Sequence, residues 1–72
     1  MMYRTYEEAY AAHYPRYQRA YKTAPLAACE GARVDIYDAL KYHYGRTPYE
    51  GKLMAELDAA RERIAALKGG TA

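Results

Sequence analysis

At 72 residues, with a formal charge of +2 from 11 basic and 9 acidic side chains, the chain is a single small domain without a strong general pull on polyanions. One cysteine, Cys29, excludes an internal disulfide and a Cys-rich metal module, so a core this short has no covalent support. Phenylalanine and tryptophan are absent, tyrosine occurs ten times, and the only β-branched aliphatics are Val34, Ile36 and Ile64, which argues against a sheet.

The opening MMYRTYEEAYAAHY lacks the continuous apolar core of a signal peptide, because Glu7, Glu8 and His13 interrupt its alanines. No apolar run reaches the roughly 18 residues that a membrane span needs. A cytoplasmic protein without a membrane role is expected.

The first helix is expected to open at Thr5, whose hydroxyl can cap it while Glu8 reaches back to complete a capping box. Tyrosines 3, 6, 10, 14, 17 and 21 then fall within about 80° of arc at 100° per residue. Ala9, His13 and Ala20 extend that side, Arg16 lies at its edge, and Arg4, Arg19 and Lys22 face away. Rings packed inward with hydroxyls at the rim are expected, with His13 half-buried and bonded to a phenol. Alternatively, at least three of the six tyrosines form an intermolecular surface, since interfaces are enriched in tyrosine. Pro15 removes the amide that would bond residue 11 and disfavours a helical Tyr14, so the helix either kinks there or splits in two.

A second helix starts at Pro25–Leu26, collects Cys29, Ile36, Tyr37, Leu40 and Tyr44 on one face, and ends at Gly45. Gly31 weakens it by roughly 1 kcal/mol relative to alanine. Either Gly31 marks a close helix crossing, or the helix proper begins near Ala32. Thr47-Pro48-Tyr49-Glu50 opens a third helix running to about Lys68, with a cap threonine, proline at the first turn and glutamate three residues on. Its stripe of Tyr49, Leu53, Leu57, Ala60, Ile64 and Leu67 is narrow, which suits one partner helix rather than a central position. Residues 69–72 are expected to fray. The fold class is therefore all-α: one domain over residues 1–72 with its core at about 5–68, a small three-helix array or bundle.

No residues point to catalysis. The chain has no serine and no glycine-rich phosphate loop, and His13 and His43 stand apart without ligand spacing. No catalytic residue, metal site or cofactor is expected. The residues with surplus chemistry are instead those of a binding surface. Tyr42 projects from the second helix opposite its apolar side, within the aromatic and basic Lys41-Tyr42-His43-Tyr44-Gly45-Arg46. Tyr14, Tyr17 and Tyr21 lie on the first helix, and Arg33 falls near the centre of an apolar face, where its stem either snorkels to solvent or pairs with an acid. The expected function is a non-enzymatic protein-binding module, an adaptor, inhibitor or subunit, that meets a protein partner or a second copy. Its binding residues would be Tyr14, Tyr17, Tyr21, Arg33, Tyr42 and Arg46. The alternative is nucleic-acid binding through Arg16, Arg19 and Lys22.

Overall fold

A computed structural model describes residues 3–69 and contains three helices, α1 (Tyr6–Tyr21), α2 (Leu26–Leu40) and α3 (Pro48–Leu67). The first and the last start alike. Thr5 Oγ1 accepts from the Glu8 amide at 3.0 Å, and Thr47 Oγ1 accepts from the Glu50 amide at 3.1 Å. Each glutamate turns back one residue further than a simple capping box requires: Glu8 Oε1 accepts from Arg4 N at 2.9 Å, and Glu50 Oε1 from Arg46 N at 2.7 Å. The shared pattern is Arg-Thr-x-x-Glu, at residues 4–8 and 46–50.

Helix α1 continues through Pro15 as one element. Helix α2 begins directly after an extended Pro25 (φ −72°, ψ 160°), so Gly31 lies inside it and does not mark its start. It ends at Leu40, earlier than the sequence suggests. Past that point Tyr42 N donates to Ala39 O at 3.0 Å and His43 N to Leu40 O at 3.4 Å, the tighter bonds of a closing turn. Gly45 (φ 92°) and Arg46 (φ 60°) then swing the chain into α3. The connection takes residues 41–47, longer than the 45–47 expected, and Tyr44 leaves the apolar face expected for it and is exposed.

The arrangement of layers differs from the sequence expectation more than the helices do. Helix α3 is the central element: it packs against both α1 and α2, while those two barely meet. Toward α2, Leu53 and Leu57 join Ile36 in the apolar core, with Ala32, Ala39, Leu40 and Met54 around them. Toward α1, α3 offers the buried Gly51, Ala55 and Ala59. Residues four apart form one ridge along a helix, and a ridge this low lets the backbone of α1 settle close. A Cβ on Gly51 would stand 3.0 Å from Tyr6 C and Cα, and nearer still to its carbonyl oxygen. This is the close crossing that Gly31 was a candidate for; nothing lies within 4 Å of a Cβ built there. The stripe on α3 looks narrow in sequence because the side it turns toward α1 is built of glycine and alanine.

Contacts fix the directions. Tyr6 meets Gly51 at one end, and near the other Arg63 Nε donates to Ala24 O at 3.0 Å, so α1 and α3 run the same way. Lys68 Nζ lies 3.3 Å from Glu30 Oε2 while Ile36 packs on Leu53 and Leu57, so α2 runs against them. Among the described residues no helix is long and apolar enough to cross a membrane. Fraying expected at residues 70–72 lies outside the described residues; Gly69 turns out of α3 at φ 68°.

Candidate functional site

The tyrosines of α1 divide into those that the fold consumes and those it leaves half-open. Tyr10 donates its phenolic proton to Asp58 Oδ2 at 2.5 Å, Tyr14 donates to Glu62, and Tyr21 donates to Glu56 Oε2 at 2.7 Å. At 100° per residue, Asp58 and Glu62 stand on one flank of the Gly51–Ala55–Ala59 ridge, while Lys52 and Glu56 stand on the other. The phenols thus straddle the small residues and reach carboxylates on both sides of them. A half-buried ring finds a hydrogen-bond partner for its polar end, which answers how so phenolic a stripe can serve as core. Burial, followed by the bond to Asp58 and its charge, pushes the Tyr10 phenol well above the ordinary tyrosine value. Burial and the Glu56 bond do the same for Tyr21, and the Glu62 bond raises Tyr14.

Tyr17 is half-buried without a carboxylate. Lys52 Nζ lies 6.0 Å from its ring centroid and 5.5 Å from that of Tyr49. His13 stacks on Tyr17 at 6.1 Å and meets the Tyr3 ring at 5.3 Å. Its Nδ1 bonds the Ala9 carbonyl at 2.8 Å, not a phenol as the sequence suggests, because the carbonyl one turn back is already within reach. Arg46 is tied into the fold as well. It pairs with Glu7, its guanidinium lies 4.3 Å over the Tyr6 ring, and its backbone amide caps α3. The pairing holds the Glu7 carboxyl below the usual range.

Outside the core lies a second aromatic set. Tyr42 is 76% exposed, Tyr44 73%, Val34 63%, Tyr37 48% and Tyr49 46%. His43 meets the Tyr49 ring edge-on at 4.4 Å and is itself exposed. Beside Val34 and Tyr37, Asp35, Asp38 and Lys41 line a shallow depression on the outer side of α2. Arg33 is half-buried on α2, as a snorkelling stem would be. Arg16 and Arg19 on α1 and Lys22 at its C-cap are exposed, and among the described residues none of the three joins an ion pair.

Compared with known protein families, curated proteins and solved structures, the chain matches none. Its functional reading therefore rests on surface chemistry. Among the described residues no three His, Cys, Asp or Glu side chains gather closely enough to hold a metal ion. Cys29 is fully buried. Of the sequence-selected residues, Tyr14, Tyr21 and Arg46 have their polar groups engaged within the fold, and Tyr42 stands open. Sequence reasoning gave no binding role to Val34, Tyr37 and Tyr44, and it placed the two tyrosines on the apolar face of the second helix. Connection length gave no signal to move Tyr44, because a link at residues 45–47 already lies within the common two to eight residues.

Proposed function

We propose that the chain is a non-enzymatic helical protein-binding module of the cytoplasm, an adaptor, inhibitor or subunit that acts by occupying a partner's surface. The observation that carries this reading is the exposure of Tyr37, Tyr42, Tyr44 and Tyr49, in a chain whose other tyrosines mostly find partners inside the fold. Tyr42 and Tyr44, with most of their surface in solvent, add little to the core. Tyrosine brings large contact area at low entropic cost, and buried aromatic anchors dominate interface energetics. Tyr42 and Tyr44, the most open rings, are the expected anchors.

A photo-crosslinking residue placed at position 42 or 44 tests the reading. In native lysate it should form a discrete protein adduct that excess unlabelled wild-type chain competes away. The Tyr42→Ala/Tyr44→Ala double variant should compete at least tenfold less well. Adducts that neither chain displaces would refute a specific surface. Light scattering identifies a second copy as the partner if the isolated chain reads twice 8.2 kDa. Nucleic-acid binding through Arg16, Arg19 and Lys22 is the competing reading, favoured by their exposure without ion pairing. It requires nuclease-sensitive adducts and a steep loss of binding as salt rises.

A further inference from the structure

We infer that the groove between the C-terminal halves of α1 and α3 binds an acidic peptide segment of a partner protein. This inference rests on the protein-binding reading for the class of ligand and assigns it a surface separate from the exposed aromatic set. The groove is open to solvent, with a volume of about 420 Å³, and Arg19, Tyr21, Lys22, Ala59, Arg63 and Ala66 are among its walls.

Three cations border the groove, and none of them has a carboxylate partner among the described residues. Arg63 donates from Nε to the Ala24 carbonyl at 3.0 Å, a bond that anchors the guanidinium and leaves its terminal amino groups outside that contact. Arg19 also lies in the last turn of α1, where a cation offsets the exposed carbonyls. Lys22, the C-cap residue, shares that duty, which does not extend to Arg63 on α3. Glu62, the single acid in the wall, already accepts from Tyr14.

The floor decides which polyanion fits. Ala59 and Ala66 are seven positions apart on α3, about 10 Å at 1.5 Å per residue. An extended peptide covers that span in about three residues at roughly 3.3 Å each. Where one small apolar side chain turns down toward Ala66 and the Tyr21 ring, its two neighbours turn up and outward, which brings their carboxylates to the cations at the rim. A peptide can space its carboxylates to meet the three cations and avoid Glu62, whereas a nucleic acid carries a charge at every nucleotide.

The test uses the full chain and three fluorescein-labelled probes: a 12-residue peptide alternating Glu and Ala, its Gln-for-Glu counterpart, and a 12-nucleotide oligothymidylate. Anisotropy at about 150 mM salt should give saturable binding of the Glu peptide with Kd on the order of 10–100 μM, as for weak transient contacts. The Gln peptide should bind at least tenfold more weakly. Arg19→Glu/Lys22→Glu should lose at least tenfold with its helical signal intact, and Arg19→Gln/Lys22→Gln should lose less. Backbone amide shifts at Ala59 and Ala66 on titration would place the peptide in this groove. No saturation by about 1 mM, equal binding of the two peptides, an unaffected charge-reversal variant, or tighter binding of oligothymidylate would each overturn the assignment. Failure here with competed adducts still formed at position 42 removes the groove and leaves the protein-binding reading standing. Loss of those adducts removes that reading instead.

Discussion

Two glycines inside helices should respond to the same substitution with opposite signs. Gly31→Ala places a methyl in open space, with nothing within 4 Å, in a helix interior where alanine is favoured by about 1 kcal/mol. It should stabilise the protein by roughly that amount. Gly51→Ala gains the same propensity but drives its methyl into the Tyr6 backbone, 3.0 Å from both C and Cα and closer to the carbonyl oxygen. Backbone cannot swing aside as a side-chain tip can, so α1 must back away from α3. That movement also stretches the nearby Tyr10–Asp58 bond, now 2.5 Å. Overpacking of this kind typically costs about 1–3 kcal/mol, and a backbone clash belongs at the upper end. After the propensity gain, a net loss of about 2 kcal/mol is expected. Urea unfolding followed by helical circular dichroism gives both values, and thermal melts should separate the variants by well over 10 °C at ~4–8 °C per kcal/mol. If Gly51→Ala is as stable as the wild type, the close crossing that makes α3 central is wrong. If Gly31→Ala destabilises, something covers a face of α2 that the isolated chain leaves open.

Leu57 is 2% exposed, and Leu57→Ala should cost about 2–5 kcal/mol in the same unfolding assay; a change below about 1 kcal/mol would take it out of the core. Tyr10→Phe removes the donor to Asp58 and should cost about 1 kcal/mol, at the low end for a bond to a charged group because the site is only part-buried. Tyr42→Phe should be neutral, since the ring is 76% exposed. The Tyr10 and Tyr21 phenols are raised in the fold, so their contribution is complete below the ordinary tyrosine value of about 10 and is lost as pH climbs above it. An alkaline titration read at 295 nm and by helicity should show a late class of tyrosines that ionise only as the helices melt. Ionisation of every tyrosine in one step near pH 10, with helicity intact, would contradict the phenol–carboxylate bonds.

Local chemistry settled in the sequence what depends on neighbours a few residues away. Thr5 and Thr47 cap because a hydroxyl reaches an amide three residues on, Pro48 fits a first turn, and six tyrosines share one side of α1 because helical periodicity puts them there. Three helices, the start and stop of α3 and the inward face of α1 follow from such rules alone. The partners of the phenols do not. Tyr10 and Asp58 are 48 positions apart, and no local rule joins them. Nor does hydropathy reveal that Gly51, Ala55 and Ala59 are a contact surface, because their contribution is the absence of volume, which has meaning only when another backbone arrives to use it. That arrival turned a stripe read as suited to one partner into the centre of the fold. The same geometry ended α2 at Leu40 and gave residues 41–47 to the connection, four of which periodicity would have kept helical. It left Tyr42 and Tyr44 in solvent and brought Arg19, Lys22 and Arg63 to one groove, since burial and proximity are properties of the assembled helices and not of any one segment.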